Sequence, residues 1–292
     1  MARGIIFNTM KNERKKNIGK RLPIVTRAIL LFVSGTLGVV QLGVVCQTNA
    51  AAHWRPDYEK INILPLLEKE ARTEEDYAVL YAQTGLTKLG IGDLLSMKEY
   101  SRILRIQENY FKEYEVTTSS FAPFTYTQKL NEGVMFTKLR DGDIFISATA
   151  FTSWFRYGHS ALVVNGAEER VLDAVSIWED SSLTTIYEFG RYPNFLILRP
   201  RLDETIRKEV AAYAKTELIG LPYRLTTGIF SNKFEEKLSG THCGHLVWYA
   251  YQKFGVDLDS TGGMIVTPKD IANSPNLEVV QSFGFDPHNL WR

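Results

Sequence analysis

The chain has 292 residues, 45% of them hydrophobic and 12% aromatic, enough for one sizeable core with a helical appendage. Its formal net charge of +1 conceals an asymmetry: residues 1–52 carry eight Lys/Arg against Glu13 alone, a net of +7 that leaves −6 on the remainder. A mildly acidic body argues against nucleic acid as a partner. With only Cys46 and Cys243 present, removing the N-terminal segment leaves no disulfide framework.

Residues 11–27 are basic, Ala28 to Val45 form an apolar run, and Thr48-Asn49-Ala50-Ala51-Ala52 follows. Charged, apolar and small-residue regions in that order read as a secretory signal cleaved after Ala50 or Ala52, so that the exported chain begins at Ala51 or His53. The alternative is an uncleaved anchor, since the run has about the length of a membrane span. Basic residues on its N-terminal side hold that end inside and export the body in either case. Lipidation of Cys46 fits poorly, because Val45 is bulky where a small residue is wanted. The protein is therefore expected to be secreted or held in the cell envelope, with membrane contact confined to residues 1–52.

Residues 53–130 read as a helical subdomain. Ile61, Leu64, Leu67 and Ala71 make one apolar stripe, Tyr77, Leu80 and Tyr81 a second, and Ile103, Ile106, Tyr110 and Tyr114 a third. Thr84-Gly85 and Gly90-Ile91-Gly92 are read as breaks between them, and Ser119 to Glu132, with Pro123, as an irregular connection. The charges of this region form a solvated face and its tyrosines are packing residues.

Residues 131–292 change texture. Asp141-Gly142-Asp143 turns into a strand at Ile144-Phe145-Ile146, and Gly158 to Val164 is a second strand. Asn165-Gly166 makes a hairpin turn, Arg170 to Val175 a third strand, and Phe195 to Arg199 a fourth, stopped by Pro200. A helix from Asp203 to about Leu218 follows, with Ile206, Val210, Tyr213 and Ala214 inward. Strands followed by segregated helices predict an α+β fold with a mostly antiparallel sheet.

Near the C-terminus, Gly240 and Thr241 supply a turn and a candidate N-cap. Leu246, Val247, Ala250 and Phe254 then recur at helical spacing up to Gly255. Cys243 falls in the first turn on the inward face, where unpaired N–H groups and the helix dipole favour a thiolate. The alternative is a small core residue. A nucleophilic thiol needs a base, and the base needs a third group to orient it. His242 and His245 diverge from Cys243 around the helix, while His53 and His288 lie near the ends of the exported chain. His159 opens an otherwise apolar strand, and Asp173 is equally out of place in Val171-Leu172-Asp173-Ala174-Val175 on the partner strand. Either His159 is a satisfied structural histidine, or the pair is the base and its orienting group.

Gly220-Leu221-Pro222-Tyr223-Arg224, followed some twenty residues later by Cys243 at the head of an apolar helix, resembles the nucleophile segment of NlpC-type papain-fold hydrolases. The Gly158-His159-Ser160-Ala161-Leu162-Val163 strand resembles that family's histidine strand, with Asp173 at its third polar position. The histidine precedes the cysteine, as in the circularly permuted, YiiX/YebB-like branch, and Val266-Thr267-Pro268-Lys269-Asp270-Ile271 is similar to that branch as well. His242 and Gly244-His245 depart from the Asp before and Ser-Gly after the family's nucleophile.

The resemblance implies a circularly permuted papain-like domain over residues 131–292 with Cys243 as nucleophile, His159 as base and Asp173 as orienting group. Tyr223 would line the cleft. The implied activity is amide hydrolysis in cell-wall peptidoglycan stem peptides, without metal or other cofactor. Zinc held by Cys243, His242 and His245 would crowd three ligands into one helical turn. A catalytically idle binding or scaffold module of the envelope, and a lipid or acyl hydrolase or transferase, remain as alternatives. The chemistry also sets a register. A two-residue Asn165-Gly166 turn sends Asp173 to the face away from His159, whereas a three-residue loop, Asn165-Gly166-Ala167, sets the two directly opposite.

Overall fold

The computed structural model describes residues 23–49, 53–122 and 124–291. The small-residue site Ala50-Ala51-Ala52 and the basic stretch before Pro23 lie outside the described residues. Ile24–Asn49 is one helix, α1, and Ile24–Thr48 is long and apolar enough to cross a membrane. The chain divides into two units, one ending at Val40 and a body that begins at Gln41.

Four helices open the body: α2 (Leu64–Leu67), α3 (Glu74–Thr84), α4 (Lys88–Ser96) and α5 (Tyr100–Phe111). The first expected stripe shrinks to the single turn of α2, because the Arg72 side chain donates to the Leu66 and Leu67 carbonyls and closes it. Thr73 and Asp76 form a capping box that starts α3, and Gly85 at φ +68° ends it. Gly90 and Gly92 do not break the chain; they lie inside α4. Gly90 is needed there because a Cβ would come within 2.5 Å of the Val280 carbonyl, so α4 rests backbone-close on a strand. Ile63, Leu67, Leu80, Leu86, Ile91, Leu94, Ile103 and Ile106 make the core of this helical layer.

The connection expected to be irregular is instead a hairpin of β1 (Val116–Ala122) and β2 (Thr125–Leu130). Alternating Thr, Ser and Tyr residues suit strands whose exposed face needs no apolar pattern. With the two-residue strands β4 (Phe151–Thr152) and β5 (Phe155–Arg156) it forms a four-stranded sheet in the order β1-β2-β4-β5.

The larger sheet runs β10-β9-β3-β6-β7-β8, every neighbouring pair antiparallel. Its strands are β3 (Ile144–Ser147), β6 (His159–Asn165), β7 (Arg170–Asp173), β8 (Ser182–Thr185), β9 (Phe195–Pro200) and β10 (Leu277–Phe283). The fold is thus α+β with antiparallel sheets. Pro200 does not end the pairing, since it still stands opposite Leu277 at one end of β10. Period-two alternation divides the side chains between two cores. Ile144, Ile146, Leu162 and Leu198 face α6 (Glu204–Glu217) and α7 (Cys243–Gln252). Phe145, Ala161, Val163 and Ile197 face Phe136, Phe189 and the end of α5. A last short helix, α8 (Pro268–Ala272), is started by a Thr267–Asp270 capping box.

One ionic cluster ties the helical layer to the sheet. Arg199 on β9 donates to Asp143 through Nε and Nη2, both at 2.8 Å, and its Nη1 reaches Asp93 on α4. Arg199 is 2% exposed and Asp143 fully buried. Arg199→Met would leave two buried carboxylates without their shared cation. It is expected to lower unfolding free energy by about 3–5 kcal/mol, read from urea denaturation. A loss below about 1 kcal/mol would mean that Arg140, which also bonds Asp93, suffices for the cluster.

Candidate active site

The site assembles at the end of the large sheet where β6 begins and β7 ends. His159 is the first residue of β6 and Asp173 the last of β7. The three-residue loop expected between them is not found: Gly166 to Glu169 form a longer turn, Glu169 adopts φ +54°, and the register shifts between Val163 and Asn165. Pairing Leu162 with Leu172 and Val163 with Val171 makes His159 and Asp173 diagonal neighbours instead of directly opposed. Both still fall on the face of Ala161, Val163 and Val171, because the shift keeps the parity. Diagonal spacing is within reach of an imidazole, and His159 Nε2 lies 2.8 Å from Asp173 Oδ1, with side chains 8% and 1% exposed. Neither atom has a hydrogen-bond partner of good alignment. The contact therefore acts through charge more than through a linear bond.

Gly158 sets up this corner. It sits at φ +76°, and a Cβ there would come within 2.3 Å of the Ser147 carbonyl, so only glycine lets the chain turn from Tyr157 into His159. On the His159 ring lies Phe189, stacked at 5.5 Å with a 19° interplanar angle, and Tyr192 meets it edge-on at 6.3 Å.

Cys243 is the first residue of α7, 6% exposed. The N-cap is His242, not Thr241: its Nδ1 accepts from the His245 N–H at 3.4 Å. α7 packs through Leu246, Val247 and Ala250 under the opposite face of the sheet, and its first turn reaches past the strand ends to His159. Gly244 allows this seat, since a Cβ would lie 2.1 Å from the Val266 carbonyl. The Val266-Thr267 segment thus braces the start of α7.

The electrostatics follow from that placement. Burial pushes the Cys243 thiol up, but hydrogen bonds and positive charge from His159 and His242 outweigh it and bring it down to about 6. For His159, burial favours the neutral ring, while the Asp173 carboxylate and then Cys243 raise it well above its ordinary value. A thiolate–imidazolium pair is the resting state that these opposing effects favour at neutral pH.

Tyr223 lies close enough to the site to feel the Cys243 charge. Its segment runs alongside the residues before Cys243, with Tyr223 bridged to Thr241, Thr241 N–H on the Pro222 carbonyl at 2.9 Å and Arg224 N–H on the Thr241 carbonyl at 2.7 Å. Burial and the nearby Cys243 charge hold the Tyr223 hydroxyl protonated. Tyr157 and Tyr192 are raised for similar reasons, burial first, and both feel Cys243. Sequence reading missed these two, and it judged His242 to point away from the sulfur. Neither had a signal: the Gly158 turn separates Tyr157 from the His159 strand, and Tyr192 lies in a loop.

The remaining histidines are occupied elsewhere. His245 donates from Nε2 to the Lys233 carbonyl at 3.0 Å and lies 3.0 Å from Thr241 Oγ1 through Nδ1, and burial lowers it to about 4. Both nitrogens are thus engaged by protein atoms and cannot join Cys243 around one ion. His53 Nδ1 donates to the Pro193 carbonyl at 2.6 Å, and His288 is exposed.

No family model matches the chain, and no solved structure matches it. Over 134 residues, 46% of the chain, it is 25% identical to a curated Bacillus subtilis (strain 168) protein described as "Uncharacterized protein YycO". The chain covers 52% of that relative, about half its length.

Proposed function

We propose that the protein is an exported cysteine hydrolase of circularly permuted papain-like fold that cleaves amide bonds, with peptidoglycan stem peptides as its substrate. The carrying observation is the convergence of Cys243 with the His159–Asp173 pair, remote from it in sequence, at one end of the large sheet, where His159 bonds the thiol and lowers its pKa. The order His159, Asp173, Cys243 and the Pro222-Tyr223 segment, bridged to Thr241 beside Cys243, support the permuted reading.

In this mechanism the Cys243 thiolate attacks the scissile carbonyl carbon. N–H groups in the first turn of α7, free of intrahelical partners, stabilise the oxyanion together with the helix dipole. His159, already protonated, gives its proton to the departing amine as the C–N bond breaks and leaves a thioester on Cys243. The neutral ring then takes a proton from water as it attacks the thioester, and the carboxylate product departs with the thiolate restored. Asp173 holds the ring and stabilises its charged form. Tyr223 lines the approach to the sulfur.

Incubation with purified muropeptides tests this directly. New amino groups and shortened stem peptides are expected by mass spectrometry, and Cys243→Ala is expected to abolish both. Intact muropeptides after prolonged incubation, alongside release of fatty acid from acyl lipids, would favour the acyl-hydrolase alternative.

A further inference from the structure

The end of α1 is built into the body. Half-buried Arg156 donates from Nε to Gln47 Oε1 at 3.0 Å and from Nη2 to the Gln47 carbonyl at 2.9 Å. Its Nη1 serves Gln128 Oε1 and the Ala148 carbonyl, both at 2.8 Å. Gln47 Nε2 donates in return to the Trp154 carbonyl at 3.1 Å. One turn earlier the contact is closer still: a Cβ on Gly43 would lie 2.5 Å from Ser153 Oγ and 2.7 Å from Trp154 Nε1. An arginine at a helix C-terminus satisfies carbonyls that the helix leaves open. Removal of α1 would strip Arg156 of two of these four acceptors, the Gln47 Oε1 and carbonyl.

The depth of this contact in a bilayer can be placed. Ile24–Thr48 spans 25 residues, or about 37 Å at the helical rise, against about 30 Å of hydrocarbon. Sharing the excess between the two ends puts Gly43, about 7 Å short of Thr48, close to the hydrocarbon boundary. Whatever packs on Gly43 shares that depth. There the body presents Phe124, Trp154 and Phe155, which are 54%, 52% and 59% exposed. The two hairpin tips are joined by the Thr152 hydroxyl bonding the Phe124 carbonyl. Phe124 and Ser153 adopt φ +59° and +46°, left-handed conformations that side chains disfavour. Aromatic side chains raised on strained turns beside an apolar helix suit the membrane–water interface, where such rings concentrate.

We infer that α1 is a retained anchor and that the two hairpin tips carrying Phe124, Trp154 and Phe155 sit in the headgroup layer beside it. Membrane contact then extends beyond the N-terminal segment to the small sheet. His159 follows Phe155 by four residues, at most about 13 Å of extended chain. The Cys243 centre is thus held close to the bilayer surface. This docking stands apart from the hydrolase reading, so either can fail alone.

The test uses the full chain reconstituted in phosphatidylcholine–phosphatidylglycerol vesicles, with and without acyl chains brominated near the headgroups. Bromolipid is expected to quench part of the tryptophan fluorescence. Trp154→Phe, a conservative change at an exposed position, is expected to remove most of the quenchable part. Trp178→Phe, also exposed, is expected to leave it unchanged. Equal quenching in wild type and Trp154→Phe would overturn the docked tips, and a mature N-terminus at Ala51 or His53 on protein from the cell envelope would overturn the retained anchor.

Discussion

Replacing His159 by alanine is expected to move half-maximal alkylation of Cys243 from about pH 6 to the alkaline side of an ordinary thiol. The sign follows from the balance at the sulfur. Burial alone raises the thiol, and the largest opposing contribution comes from His159. With that imidazolium gone, only His242 and the start of α7 still favour the anion. In the wild type the thiolate forms as pH rises through about 6. Since His159 is raised well above its usual value, the ion pair persists through neutrality and is lost only when the ring deprotonates. At pH 7 the variant's iodoacetamide reaction is expected to slow at least about tenfold through loss of thiolate. Hydrolysis is expected to fall by about 10²–10⁴-fold, because the leaving amine also loses its proton donor. An alkylation profile unchanged by the substitution would separate His159 from Cys243 and favour the idle module.

Asp173→Asn is the second large effect. The carboxylate is almost fully buried and its Oδ1 lies 2.8 Å from His159 Nε2. An amide fills the same volume, so the thermal midpoint is expected to move by only a few degrees. It cannot neutralise an imidazolium, however, and its NH2 group can donate to Nε2 and hold the ring in the wrong tautomer. The His159 pKa then falls, the Cys243 pKa rises with it, and turnover is expected to drop by about 10²–10⁴-fold. An activity within threefold of wild type would remove Asp173 from the mechanism and leave a Cys243–His159 dyad.

The sequence made the site more legible than the hairpin that builds it. His159 and Asp173 stand out because each interrupts an apolar strand, although their common face depends on the register of the hairpin. The register depended on turn geometry, which Asn165-Gly166 did not reveal: Asn165 Oδ1 accepts from the Glu168 N–H at 3.1 Å and supports a longer turn. Likewise Gly90 and Gly92 read as breakers when the cause of one was a neighbouring backbone, Val280, remote in sequence. β1 and β2 escaped notice because a small, half-exposed sheet leaves little apolar alternation, and β10 because its bulge between Val279 and Gln281 breaks the period. His242 was set aside by helical geometry that does not govern it, since it is the cap, with φ −131° and ψ 170°, and its ring can fold back toward the sulfur.

The central claim is that Cys243 becomes acylated during turnover. Acid-quenched intact-mass analysis of the enzyme reacting with muropeptides, or with an activated acyl donor, measures this most directly. A single acyl adduct is expected that maps to Cys243, spares the exposed Cys46, accumulates in a burst and is absent from Cys243→Ala. Turnover that continues undiminished in Cys243→Ala, with no adduct on the wild-type residue, would contradict it.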